Sequence, residues 1–272
     1  ISDIVDKRNI LVILQKKWYL FFKVLPILGL IVLIKLIFHY SGFETISLNS
    51  LFTSLVGGTI FLFGFLISGV LSDYKESEKI PGEIACSLEA IHDETSIICL
   101  SKKSKVAKEF IIFQLKFIES IQNWLYRKEQ IDTVYNNLNE MNNYFLEFES
   151  LTQANFIARM KQEQNNLRKL ITRINVISST SFIQSAYAIA EALAFFLIIG
   201  LLVLKIEPFY EALFFVILVS FLVIYMILLI RDLDDPFEYS NCGEFGSEIS
   251  LIPLENLEKR IRENMTKFGI NY

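Results

Sequence analysis

Phe61 and Phe65 stand four residues apart in FLFGF, and Ser54, Gly57, Gly58, Gly64, Ser68 and Ser72 fall on the same side of a helix drawn through them. Two large rings set among glycines and hydroxyls allow two roles. The small-xxx-small steps of Gly64, Ser68 and Ser72 let another helix approach closely, and periodicity alone favours that packing role. The alternative is a pore lining, in which the two rings form a narrow apolar constriction that closes by dewetting. The opposite face, Val56, Ile60, Phe63, Ile67, Val70 and Leu71, reads as lipid-like.

The remaining chemistry-bearing residues are few. Asp232, Asp234, Asp235 and Glu238 have the alternating carboxylates that suit a hard cation such as calcium. The favoured reading of these acids is structural: they cap a helix start and pair with Arg231 or a neighbouring subunit. Glu191 interrupts an apolar run about 12 Å from its start, where an unpaired charge is costly. It could be protonated, face a water-filled cavity, or pair with a polar partner such as Gln184 or Tyr187. Lys35 is expected to snorkel outward, and His92, in LEAIHDET, to sit on the surface.

Catalytic and cofactor machinery is not visible. There is no HExxH, GxSxG, P-loop or GxGxxG, so the chain reads as a non-enzyme. Cys86, Cys99 and Cys242 are widely spaced without a CxxC, and only His39 and His92 could join them. Neither a structural metal nor a disulfide framework is expected.

The elements that must position these residues are set by composition. Of 272 residues, 53% are hydrophobic and 24 are phenylalanine, with mean hydropathy +0.42. That is too apolar for an ordinary soluble domain and points to lipid as a partner. A net charge of -4 gives no basic surface for nucleic acid. Four runs are long enough to cross a bilayer: Trp18 to Phe38, Leu51 to Leu71, Phe182 to Leu204 and Phe209 to Ile230. The opening ISDIVDKRNI carries charges of both signs, and no small-residue cleavage site follows, so the first run is expected to stay in the mature protein.

Lys7, Arg8, Lys16 and Lys17 precede the first run, whereas His39 to Ser50 contains no Lys or Arg. Lys75 and Lys79 follow the second run, Arg168, Lys169 and Arg173 precede the third, and Arg231 closes the fourth. By the positive-inside rule both termini and the middle region are cytoplasmic. The KIEP turn joins the last two runs as an antiparallel hairpin.

Between Ser72 and Ser181 the apolar residues Phe110, Phe113, Phe117, Ile121, Trp124 and Leu125 recur at helical steps. Breaks are expected near Lys128 to Thr133 and Glu149 to Thr152, with Ser150 or Thr152 as a cap. The predicted organisation is 1–71 (N-terminal segment and transmembrane helices 1 and 2), 72–181 (cytoplasmic helical domain), 182–231 (transmembrane hairpin) and 232–272 (cytoplasmic tail).

FLFGF, its polar helical continuation and then Pro81 resemble the second transmembrane helix of the bestrophin family, where an FxxGF element and a later proline have almost the same spacing. RDLDDPFEYSNCGEFGSEISLIPLENLEKRI is similar to the acidic DPF segment and following helix start of bacterial bestrophins, and the four-span order with a helical insert agrees. The resemblance implies a homopentameric ion channel whose second helices surround the axis. It places the neck on Gly57, Phe61 and Phe65, with Gly64, Ser68 and Ser72 also facing the pore. Gly57 departs from the family's bulky apolar residue, which leaves two rings, or lets Ile60 rotate in. The resemblance slightly favours chloride and other anions, although bacterial relatives can be cation-selective and a neck of aromatic rings has no charge to decide it, and it carries calcium as a minority regulator near Asp232 to Glu238.

The expected fold is thus an all-α membrane protein, four transmembrane helices with a helical cytoplasmic domain, assembled as an oligomeric ring around a central pore. A second function competes: a non-conducting scaffold or sensor whose stretch KEFIIFQLKFIESIQNWLYRK docks a partner. A four-span transporter is third, lacking repeated halves.

Overall fold

The computed structural model describes residues 2–179, 184–239, 248–267 and 269–270, and side chains from Trp18 onward within them, residue 184 excepted. The loop from Ser240 to Ser247, Cys242 and the start of the third apolar run at Phe182 lie outside the described residues. The elements are α1 (Ser2–Tyr40), β1 (Ile46–Ser47), α2 (Ser50–Ser77), α3 (Ile80–Lys102), α4 (Lys105–Leu125), α5 (Ile131–Phe148), α6 (Ala154–Ser179), α7 (Gln184–Val203), β2 (Leu204–Lys205), α8 (Phe209–Asp234) and α9 (Ile252–Lys267). Among the described residues, four helical stretches are long and apolar enough to cross a membrane, and they contain Trp18–Tyr40, the start of α2, Ser185–Val203 and Phe209–Asp234.

The chain forms two compact units, the first from residues up to Tyr74 and from 181 to Asp235, the second from Lys75 to 180 and from Pro236 onward, apart from 245–247. In the first unit, apolar side chains at helical spacing meet in one core. Val24 and Ile31 of α1, Phe63, Leu66 and Val70 of α2, Ala190, Ala194, Leu197 and Leu201 of α7, and Val216 and Val223 of α8 are all buried there. The face of α2 expected to meet lipid is therefore in part an internal face: Phe63 is 1% exposed. Gly200 of α7 admits the start of α2, because a Cβ at this position would lie 2.7 Å from the Phe52 ring.

Two loops of this unit meet in a way that the sequence did not announce. β1 pairs in parallel with β2, Ile46 opposite Leu204 and Ser47 opposite Lys205. The Thr45 N–H donates to the Val203 carbonyl at 3.1 Å and extends the bridge.

α2 runs past Leu71 into polar sequence as far as Ser77. A turn at Glu78 and Lys79 then separates it from α3, whose first turn holds Pro81. Proline fits there because its missing N–H has no helical partner to lose.

In the second unit the expected breaks fall after Leu125 and Phe148. Neither Ser150 nor Thr152 takes the capping position, since α6 begins only at Ala154; the Ser150 hydroxyl instead donates back to the Glu147 carbonyl at 3.0 Å. A further break after Lys102 has no glycine or proline to mark it. Lys103 takes a left-handed φ of 49°, and the Ser104 hydroxyl accepts from the Ala107 N–H, capping α4. The apolar face of α4 is not a free docking surface: Phe110, Ile111, Phe117, Ile118 and Ile121 are fully buried within the unit. Rings of Phe110 and Phe113 pack on Tyr144 of α5 at 5.1 Å each.

Candidate functional site

The helical period of α2 turns its two faces to different surroundings. Phe63, Leu66 and Val70 are locked in the core, so their registry fixes which residues point away. Phe61 is 77% exposed and Phe65 71%, and Gly57, Gly64, Ser68 and Ser72 are exposed with them. A Cβ added at Gly57, Gly58 or Gly64 would meet nothing within 4 Å. Among the described residues these small residues thus do not admit another helix of this chain. Two rings, one turn apart, stand on an otherwise small and hydroxylated surface, and Ile60 lies at its edge, 41% exposed. Ser54 also lies on this surface, its hydroxyl turned back to the Ser50 carbonyl at 2.8 Å.

Glu191 is not left unpaired. Its carboxylate accepts from the Arg231 guanidinium at 2.5 Å, joining α7 to the end of α8. Among the described side chains the partner is thus Arg231 rather than Tyr187, and the side chain of residue 184 lies outside the described ones. Tyr187 lies beside Asp234 instead. Forty residues separate Glu191 from Arg231, so only the pairing of α7 with α8 brings them together.

This pairing also changes the reading of the acidic segment. Arg231 is engaged by Glu191, and no helix starts at Asp232; Asp232 and Asp234 end α8, while the next helix among the described residues begins at Ile252. Asp235 follows the helix end. In the second unit, Glu238 faces Arg127 at 3.6 Å, both side chains being 63% exposed, a pairing that solvent screens strongly. Among the described residues no three His, Cys, Asp or Glu side chains gather as a metal site.

Lys35 does not snorkel. It is fully buried, with its ammonium 2.7 Å from the Glu44 carboxylate. It also donates to the Leu204 carbonyl at 2.6 Å and to the Leu202 carbonyl at 3.2 Å. His39 Nδ1 lies 3.0 Å from the other Glu44 oxygen, and its ring stacks on Phe209 at 3.8 Å. Burial of Glu44 opposes ionisation, but hydrogen bonds and charge from Lys35 and His39 outweigh it and hold the carboxyl below its ordinary value. The sequence signal was available in hindsight: a lysine inside an apolar run, with a histidine and a glutamate just beyond it.

His92 is likewise buried rather than on the surface. Cys86 is exposed and Cys99 buried, both as free thiols.

These features define a class: an all-α integral membrane protein with a four-helix apolar unit, one of whose helices exposes a face of rings and small residues, and a second helical unit. No protein-family profile and no curated protein matches the sequence. Solved structures do. One form of a bacterial bestrophin homologue from Klebsiella pneumoniae superposes with a TM-score of 0.76 at 14% identity, over 92% of this chain and 98% of that one. A second form of that homologue gives 0.74 at 16% identity, over 91% and 99%. A structure described as a membrane protein gives 0.75 at 15% identity, over 92% and 100%. The chain therefore has a bestrophin-like fold.

Proposed function

We propose that this chain is the subunit of a homo-oligomeric ion channel, with the exposed face of α2 lining the pore. The observation that carries the reading is the contrast between the two sides of α2. Phe63, Leu66 and Val70 are buried in the chain's own core, while Phe61, Gly64, Phe65, Ser68 and Ser72 face outward, with no partner helix of the same chain among the described residues. On a closed ring of subunits these residues meet their own copies around the axis. A ring of Phe61 over a ring of Phe65 offers water no hydrogen bonds, so a narrow column there dries and blocks ions until it widens. Gly57, one turn further on, adds no bulk, and the neck is two rings long.

A pentamer is the assembly that the bestrophin-like fold favours. Basic residues flanking the spans put both termini, residues 72–181 and the tail 232–272 on the cytoplasmic side. Monovalent ions pass with anions favoured, because the hydrogen-bearing edges of aromatic rings are positive; the net charge of -4 works the other way. Calcium has no assigned step. The scaffold reading loses its main support, because the apolar face of α4 is buried within its own unit.

Purified protein in planar bilayers under a potassium chloride gradient tests this reading. Stepwise currents reversing near the chloride equilibrium potential are expected from a preparation that sizes as a ring. Reversal near the potassium potential would overturn the anion preference alone. Silent bilayers with a monomeric or dimeric protein would overturn the channel.

A further inference from the structure

His92 lies on α3 with 2% of its surface exposed, between helices that are far apart in the chain. Its Nδ1 is 3.2 Å from Oε1 of Gln114 on α4. The Gln114 amide nitrogen donates to the Leu88 carbonyl at 3.4 Å, which fixes the amide's orientation and leaves its oxygen facing the ring. An amide oxygen only accepts, so Nδ1 carries the proton. The other ring nitrogen, Nε2, faces Nδ2 of Asn264 on α9 at 3.4 Å and the Ser96 hydroxyl at 3.4 Å. Asn264 is oriented as well, because its Oδ1 accepts from the Lys267 ammonium at 3.2 Å. Its nitrogen can only donate. Nε2 must then accept, and the neutral imidazole satisfies every partner around it.

We propose that His92 is an acid-sensitive latch on the C-terminal turns of α9, holding them while the ring is neutral and releasing them when Nε2 takes a proton. A proton there sets N–H against the Asn264 N–H, donor facing donor. Turning the Asn264 amide over would restore the bond but break its contact with Lys267. Ser96 can rotate its hydroxyl, so the conflict centres on α9. The surroundings offer little compensation for a buried charge. On α3, Asp93 and Glu89 favour protonation, yet Glu89 is already engaged by Arg260 of α9 at 2.8 and 2.9 Å. From α4 the ring meets the uncharged Gln114, and Lys267 of α9 adds like charge near Asn264. α6 also packs on α3, but its Arg159 is turned to Glu94 at 2.8 Å.

Burial pushes the His92 ring below its ordinary value, with Gln114, Asp93 and Glu89 opposing. The released state therefore binds the proton more readily than the docked one. Docking is at full strength above the free ring's value of about 6.5 and weakens as pH falls through it, by at most about tenfold per pH unit for one proton. Leu254, Leu257 and Ile261 stay buried and the Arg260–Glu89 pair stays ionised, so the first turns of α9 remain in place.

Amide hydrogen exchange of the purified full chain at pH 7.5 and 5.5, normalised to intrinsic rates, reads the latch directly. Amides from Glu263 to Lys267 are expected to lose protection by up to about tenfold at pH 5.5, while the first turns of α9 keep theirs. His92→Gln, which cannot titrate, should show no such difference. Asn264→Asp offers the protonated ring a carboxylate and should keep α9 protected at pH 5.5. Equal protection in the wild type at both pH values would overturn the proposal, as would an undiminished acid loss in His92→Gln. Should His92→Gln fail to fold, Asn264→Asp decides: an acid loss as large as the wild type's contradicts the latch.

Discussion

Replacing Phe61 and Phe65 together by alanine is expected to leave a folded protein whose resting current in planar bilayers is about tenfold above the wild type's. The physical reason lies in their surroundings. Both rings are largely exposed on the single chain, so their removal opens no cavity in the core. On the proposed pore reading they narrow an apolar lumen, and alanine would leave that lumen apolar but wide enough to stay wet. A tenfold rise corresponds to about 1.4 kcal/mol of lowered barrier, a modest demand on two rings per subunit. Phe63→Ala is the informative contrast. That ring is 1% exposed in the core of the first unit, so its loss should cost about 3–5 kcal/mol of stability without selectively raising the resting current. Unchanged currents in the double variant would place the gate elsewhere.

The second large effect concerns Lys35. Glu44→Gln is expected to destabilise the protein by about 3–5 kcal/mol, because it leaves a fully buried ammonium with carbonyl dipoles alone. Lys35→Met combined with Glu44→Gln should recover much of that loss, since a paired charge is replaced by groups that need no charge compensation. The sign with pH follows from the depressed carboxyl of Glu44. Its stabilisation is complete above the unfolded carboxyl's value of about 4.3 and is lost as pH falls through the lower folded value. Thermal unfolding in detergent from pH 7 down to 3 would show this acid step in the wild type and not in Glu44→Gln. A single substitution with wild-type stability would show that the pair is dispensable.

Periodicity made the four apolar helices and the composition of the α2 face legible in the sequence, because a helix repeats its surroundings every three or four residues. The same period could not say what lay opposite. The face read as lipid-like is partly buried because Phe63, Leu66 and Val70 join a core shared with residues of α1, α7 and α8, and the apolar face of α4 is buried within the second unit, in part against α5. Residues joined only by tertiary structure were the ones misjudged. Lys35 needed the loop that carries Glu44, Glu191 needed the far end of α8, and His92 needed α9, which begins 160 residues later at Ile252. Local rules assign a lone lysine or histidine to solvent; the partners of Glu191 and His92 on α8 and α9 lie outside any local window, whereas Glu44 stands close to Lys35 in sequence and its pairing was there to be read.

Cysteine accessibility along α2 tests the pore assignment most directly. In a background with Cys86, Cys99 and Cys242 changed to serine, single cysteines from Gly57 to Ser72 would be exposed to a charged thiol reagent during recording. Gly57→Cys, Phe61→Cys, Gly64→Cys, Phe65→Cys and Ser68→Cys are expected to change the current on modification, while Phe63→Cys, Leu66→Cys and Val70→Cys are not. Modification at the first group without any change in current would contradict a pore on this face of α2.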